Sequence, residues 1–370
     1  MKIAVLIYAR QKNYGGHYYS NEVIVEALKS KYDVINILVA HNNIELRNET
    51  IYDHIVHTNS ILKASRSLQK FLRSEKVTHL CSFDFPSSVI CSSMLLLDNY
   101  LHFHIKCGGP NLNRIYPFFD NTIVFSNENY SLYKTKCKNC ALIPNRVKKF
   151  QDDNTRIDDL RKKYGFKSSD NIILRISRFS NHYEDALYKI LNLAKRVGDR
   201  YKFLIVGYVK DIEVYNNFKN KVTGVNNIYL ETEDNFTSNA KELIGIASHV
   251  IGTGRGAMEA ASLGKKILLF SSNHHEPVLL TDENFHYFLD YNFSDRAVCD
   301  GQYLSDSVSE DEDYSDFIVQ KYEEYFDVYA ALPRYEMFIN KLNRYTFAHR
   351  INNTIRLYII YLYKRIRNSF

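Results

Sequence analysis

The sequence predicts an α/β chain of two doubly wound units in tandem, closed by C-terminal helices. Three observations carry this. Short apolar runs alternate with amphipathic stretches, once over residues 2–143 and again over 171–270. Several runs are apolar almost throughout, as strands of a parallel sheet covered on both faces must be. At 370 residues, the chain has the length of two domains with sizeable cores.

The first unit opens with a strand at 2–10, where Ile3, Val5 and Ile7 alternate within an apolar run. A loop at 11–17 holds Gly15 and Gly16, a helix follows at 18–31 and a strand at 33–40. Strand, glycine loop, helix and strand make a Rossmann-like opening, although G-x-G-x-x-G is absent. The alternation continues with a helix at 61–74, a strand at 78–85, a helix at 87–98 and a strand at 101–105. Lys106-Cys107-Gly108-Gly109-Pro110-Asn111 then forms a loop at a strand's carboxyl end, where ligands of open α/β sheets sit. This topology makes His104, Lys106 and Asn111 candidate ligand contacts. Strands at 122–126 and 141–143 close the unit, the latter running into Pro144-Asn145.

Polar and charged residues from 148 onward read as the link, with a helix at 156–164. Strands at 171–178, 202–207 and 227–231 alternate with helices at 185–197, 211–221 and 238–247. The first of these strands ends in Arg178 and the second in Gly207. Residues 283–299 are ambiguous, 301–316 form an acidic loop, and 317–329 and 334–343 read as helices.

Residues 249–270, HVIGTGRGAMEAASLGKKILLF, read as strand, glycine turn, helix and strand. Gly252, Gly254 and Gly256 let a ligand approach the backbone closely. The helix is expected over 257–263, with Glu259 in its first turn and Gly264 at its end. A helix opening from such a turn presents free N–H groups, which suit a phosphate. Thr253, Gly254, Arg255, Gly256 and Glu259 are therefore candidate ligand residues. Gly252, Gly254 and Ala257 also fit the dinucleotide pattern G-x-G-x-x-A. That pattern needs an acid at the end of the next strand, and here Ser271-Ser272-Asn273 follows, which argues against NAD.

The net charge of +6 is unevenly placed. Residues 341–370 carry seven basic residues and no acid, while 306–316 hold six acids. A diffuse nucleic-acid binder is disfavoured; a basic, tyrosine-rich tail at 351–370 facing an anionic membrane is an alternative to a solvated face or interdomain brace. Cys137 and Cys140 form the only CxxC, with no second half of a zinc site nearby, so a reduced thiol pair is expected. No signal-peptide pattern and no membrane-spanning run is seen, which points to the cytoplasm.

Two Rossmann-like units with ligand loops at strand ends resemble a GT-B glycosyltransferase, and the second unit is similar to glycosyltransferase family 4. The residues behind this are Glu242–Ala247, then residues 249–254, then Glu259-Ala260-Ala261-Ser262-Leu263-Gly264-Lys265-Lys266-Ile267. The strand ending in Arg178, Pro144-Asn145 before the link, and Gly15-Gly16 match further family segments in order. The resemblance covers roughly residues 1–270. It implies two domains facing a cleft: an acceptor domain over 1–150, a nucleotide-sugar donor domain over 151–325, and helices over 326–370 packing back on the first domain.

The resemblance also implies roles. Glu259 accepts from the ribose hydroxyls, and Arg178 neutralises the diphosphate. Gly15, Gly16, Gly207, Glu231, Thr253, Gly254, Arg255 and Gly256 complete the donor site. His104, Lys106 and Asn111 meet the acceptor, His104 with a catalytic part. A UDP-sugar donor, a glycan or lipid-linked acceptor, retention of configuration, and no metal or bound cofactor are expected. The chain departs from the family at Ile251, where a Glu is common, at Tyr183, where a Lys is common, and at Arg146, where Gly follows Pro-Asn. Arg255 and Arg175 are candidates for the missing positive charge. The alternative is a GT-B-fold protein that binds a sugar nucleotide or a partner without turnover.

Overall fold

A computed structural model of the chain describes residues 1–10, 15–46, 49–111, 115–299, 303–304 and 313–367. Residues 11–14 of the first glycine loop, and most of the acidic loop at 301–316, lie outside the described residues. The chain divides into two compact units, Met1–Arg146 with Val328–Phe370, and Val147–Asp327.

The first unit is built on β1 (Lys2–Ala9), α1 (Gly16–Lys29), β2 (Asp33–Ala40), β3 (His54–His57), α2 (Ile61–Ser74), β4 (His79–Ser82), α3 (Phe85–Leu95), β5 (Leu101–Lys106), β6 (Asn121–Val124), α4 (Asn127–Tyr133) and β7 (Asn139–Leu142). The seven strands pair in parallel in the order β3-β2-β1-β4-β5-β6-β7. β1 shows why its sequence is apolar throughout. Ile3, Val5, Ile7 and Ala9 enter one hydrophobic cluster, and Ala4, Leu6 and Tyr8 enter a second. Successive residues of a strand face opposite sides, so a doubly covered strand admits no polar alternation. α2 follows helical spacing instead: Ile61, Ala64, Leu68 and Leu72 are buried, and Ser60 caps the helix by accepting from the Lys63 N–H. β3 is not announced by the sequence; only Ile55 and Val56 are apolar in it.

The second unit contains α5 (Asn154–Tyr164), β8 (Ile172–Ile176), α6 (Glu184–Val197), β9 (Lys202–Val206), α7 (Ile212–Val222), β10 (Ile228–Glu231), α8 (Asp234–Thr237), β11 (His249–Gly252), α9 (Arg255–Ala261), β12 (Lys266–Leu269), β13 (Val278–Leu279), α10 (Asp282–Asp290) and α11 (Tyr314–Lys321). Its six strands run in the order β10-β9-β8-β11-β12-β13, parallel except for β13. The helix expected at 238–247 is a 3-10 helix, Ala240–Ile246. The ambiguous stretch begins with α10, and residues 322–326 continue α11 as a π-helix.

The chain then returns to the first unit with α12 (Leu332–Ile339) and α13 (Phe347–Arg367). Leu332, Tyr335, Phe338 and Ile339 of α12 join the cluster on the Ile3 face of β1. Leu357 and Tyr361 of α13 join the cluster on the opposite face.

Candidate functional site

In the second unit the chain leaves β8 toward β9 and β10, then crosses back to lay β11 on the other side of β8. A parallel sheet opens a crevice at such a reversal, at the carboxyl ends of the strands. The residues placed there are Ser177 and Arg178 after β8, Gly207 after β9, and Thr253–Gly256 after β11.

The backbones meet closely. A Cβ at Gly207 would stand 1.5 Å from the Ser177 carbonyl oxygen. The Arg178 guanidinium donates to the Tyr183 hydroxyl at 3.1 Å and lies 5.3 Å from that ring's centre. Arg175 is almost fully buried and donates through Nη1 to the Ile251 carbonyl at 2.9 Å, but its Nε has no partner. Burial lowers the Arg175 pKa to about 10, against the pull of Tyr183 and Asp295. It therefore remains a cation at neutral pH. Tyr183, standing where the resembled family commonly has a lysine, accepts the bond from Arg178.

The glycine turn is held from outside. The Gly254 N–H donates to the Phe293 carbonyl at 2.8 Å, and the Thr253 hydroxyl donates to the same oxygen at 3.2 Å. Gly254 needs its freedom, with φ at 51°. Asn292 and Phe293 take positive φ in succession, 53° and 55°, a conformation that is uncommon without glycine. Beside this clamp the side-chain oxygens of Asn292 and Ser294 are buried without hydrogen-bond partners, as is that of Ser177 after β8. Unpaired buried polar atoms are costly.

Two expectations for this stretch need correction. α9 starts at Arg255, two residues earlier than the sequence indicates, so Glu259 lies in its second turn. The N–H groups of Gly254 and Gly256 are already donated, the latter to the Thr253 carbonyl at 3.1 Å. The turn thus offers fewer free donors than its glycines suggest. Glu259 is instead paired with Arg255, Nη2 to Oε1 at 3.0 Å.

Glu231 is corrected as well. Its Oε2 accepts from Lys163 at 2.8 Å and Tyr164 at 3.1 Å, and its Oε1 from the Glu233 N–H at 2.9 Å. Almost fully buried, it braces α5 against the end of β10, and both of its carboxylate oxygens are engaged by the protein itself.

The first unit has its own reversal between β1 and β4. Gly15 caps α1 with φ at 151°, its carbonyl accepting from the Tyr18 N–H at 3.1 Å, and Gly16 starts the helix. Opposite, after β4, stands Asp84, which sequence reasoning missed. Its carboxylate accepts from the Tyr8 N–H and the Ser87 N–H, both at 2.7 Å. Burial raises its pKa to about 6, although those hydrogen bonds pull it down. The available signal was Asp84-Phe85-Pro86-Ser87, a helix cap directly after a strand.

The acceptor residues proposed from sequence fare differently. His104 is 2% exposed, with Nδ1 at 2.9 Å from the Ser82 hydroxyl and 3.2 Å from the Ser88 hydroxyl. Burial drives its pKa well down, so it is a neutral core histidine and does not present itself to a substrate. Lys106 donates to the carbonyls of Cys107 at 2.6 Å and Gly109 at 2.8 Å, so its ammonium builds its own loop. Asn111 is half-buried at the edge of the described residues. Cys137 and Cys140 are free thiols, and a hydrogen bond between them lowers the pKa of Cys137 and raises that of Cys140. Among the described residues no group of three or more His, Cys, Asp or Glu is placed to hold a metal.

No protein-family profile matches the chain, and no curated protein matches it by sequence. Solved structures do match. HepE of Anabaena, in complex with UDP and glucose, has a TM-score of 0.66 at 13% identity, covering 92% of this chain and 100% of its own. Sucrose-phosphate synthase of Thermosynechococcus elongatus has a TM-score of 0.62 at 14% identity, covering 92% and 98%. UDP-GlcNAc 2-epimerase of Neisseria meningitidis, bound to UDP-GlcNAc, has a TM-score of 0.51 at 12% identity, covering 98% and 100%. The chain has the two-domain GT-B fold of glycosyltransferases, with C-terminal helices.

Proposed function

We propose that this chain is a glycosyltransferase that takes a sugar from a UDP-sugar and transfers it to a hydroxyl of a glycan or lipid-linked acceptor. What supports this is the β8–β11 reversal of a GT-B fold, with Arg175 in β8, Arg178 after it, and the glycine turn and Glu259 following β11. In this reading Arg178 faces the diphosphate, the buried Arg175 adds its positive charge from beneath, and the free oxygen of Glu259 accepts from the ribose. The bond between the anomeric carbon and the phosphate oxygen breaks, and its electron pair leaves on the diphosphate. Two guanidiniums stabilise that charge more in the transition state than in the bound donor. The acceptor oxygen forms the new bond to the anomeric carbon, and its proton passes to the departing phosphate. Membership of glycosyltransferase family 4, retention of configuration, freedom from metal and cofactor, and a role in surface polysaccharide or glycoconjugate assembly extend the same reading. So does a cytoplasmic, membrane-peripheral location; no helix among the described residues is long and apolar enough to cross a membrane.

A thermal-shift panel of UDP-, GDP-, ADP- and CMP-sugars tests the donor site. Stabilisation by UDP-sugars, lost in Glu259→Ala and Arg178→Ala, supports it; a shift with NAD alone sinks it. Product analysis separates the remaining readings. Transfer to an added acceptor or slow donor hydrolysis marks a transferase, and conversion of the UDP-sugar to its epimer overturns transfer. Binding without any turnover favours the non-catalytic alternative, which Ile251 and Tyr183 motivate as departures from the family.

A further inference from the structure

The 21-residue helix α13 has two apolar faces, and the fold uses only one. Leu357, Ile360 and Tyr361 are buried, Leu357 and Tyr361 in the cluster that also holds Val89, Ile90 and Met94 of α3. Polar contacts fix the helix about its own axis: Thr354 donates to the Ser92 carbonyl at 3.2 Å, Arg350 to the Leu95 carbonyl at 3.0 Å, and the Tyr358 and Ser93 hydroxyls meet at 3.0 Å. With the rotation set, the other face must point outward. It carries Phe347, Ile351, Ile355, Ile359, Leu362 and Ile366, each between 37% and 65% exposed. At about 100° per residue these six fall within a single stripe along the helix. Single exposed apolar residues are ordinary, but a contiguous row of them marks an interaction surface.

The borders of the stripe are basic. The same helical projection places Arg356 along one edge and Arg365 along the other. Residues 341–370 contain no acid at all. A helix with an outward apolar stripe, cationic flanks and too little hydropathy to span is the form that lies in the plane of a bilayer interface. A second copy of the helix fits less well, because it would set arginine against arginine with no acid on α13 to pair them.

We infer that the outward stripe of α13 docks the protein on an anionic lipid bilayer, with the apolar side chains among the acyl chains and Arg356 and Arg365 at the headgroups. This extends the peripheral location proposed above and rests on that reading only for the use made of the surface. The test is co-sedimentation of the full chain with extruded phosphatidylcholine vesicles, with and without 30% phosphatidylglycerol, in about 0.1 M salt. Binding to the anionic vesicles, weakened by salt and reduced at least tenfold in I355D/I359D, is the expected result. R356E/R365E should lose the preference for anionic lipid while keeping part of the apolar binding. Both pairs are on the surface, and unchanged UDP-induced thermal shifts in the variants show an intact fold. Failure of wild-type binding, or undiminished binding by I355D/I359D, overturns the inference and leaves the donor site untouched. A concentration-dependent dimer abolished by I355D/I359D also overturns it, assigning the stripe to a second copy.

Discussion

Arg255 and Glu259 stand one turn apart on α9 as an ion pair, 3.0 Å between Nη2 and Oε1, with side chains only 9% and 12% exposed. The carboxylate that the donor reading assigns to the ribose is thus already neutralised and oriented before any ligand arrives. Such preorganisation lowers the cost of binding. Glu259→Ala should weaken UDP binding at least tenfold by calorimetric titration, and Glu259→Gln, which keeps one acceptor oxygen, should weaken it less. Arg255→Ala strands a mostly buried carboxylate and should lower stability by about 3 kcal/mol in urea unfolding. An unaltered UDP affinity in Glu259→Ala would remove this residue from the site.

Two glycines separate packing from ligand access. Gly207 lies against the Ser177 carbonyl, so Gly207→Ala must push β8 and β9 apart and should cost about 1–3 kcal/mol. Gly256 has nothing within 4 Å of where a Cβ would stand. Gly256→Ala should leave stability unchanged or raise it by up to about 1 kcal/mol, since alanine suits a helix better. If a donor comes close to this backbone, the same variant should bind UDP about tenfold more weakly. Equal UDP affinity in wild type and Gly256→Ala would place the donor elsewhere.

Tyr183 holds Arg178 at 3.1 Å, at the position where the resembled family commonly has a lysine. Tyr183→Lys sets a third cation beside Arg175 and Arg178. In the free protein it should lower the melting temperature through like-charge repulsion. With UDP-sugar present the ligand-induced shift should increase, because a diphosphate draws the three cations together. A shift that decreases would show that the arginines face something other than a phosphate.

Acid sensitivity follows from buried histidines. Burial lowers the pKa of His249 to about 4 and of His102 to about 3, and pushes His104 well down too. Unfolded, each takes a proton near pH 6.5, so below that pH the unfolded chain binds more protons. Their stability contribution is complete above pH 6.5 and falls as pH drops toward 4. Asp84 has the opposite sign. Its folded pKa of about 6 exceeds the unfolded 3.8, so its contribution is full below pH 3.8 and is lost as pH rises through 6. Three groups against one leave a net loss on acidification. Each histidine supplies up to about 1.4 kcal/mol per pH unit. Urea unfolding at pH 7.0 and 5.5 should show lower stability at 5.5, and His249→Gln should flatten the slope. A stability independent of pH over this range would contradict the buried, neutral state of these rings.

The architecture was legible because parallel sheets write themselves plainly: Ile3 to Ala9 can be apolar at every position only if both faces are covered. β3 escaped because four residues with histidines at both ends carry no period. The start of α9 was displaced because Gly254, the cap, and Gly256, in the helix, look alike in sequence, while only Gly254 takes the positive φ. Site chemistry was less legible. Whether a polar side chain is available depends on what reaches it from distant segments, as Lys163 reaches Glu231 and Ser82 reaches His104. Spacing along the chain does not encode that. Asp84 was hidden for a related reason: a helix cap and a ligand carboxylate have the same local sequence.

The crystal structure of the chain with bound UDP tests the central claim most directly. The account predicts the ribose hydroxyls within hydrogen-bond distance of Glu259 and the diphosphate on Arg178, over the turn at Thr253–Gly256. UDP lodged away from both Glu259 and Arg178, or no bound UDP at millimolar concentration, would contradict it.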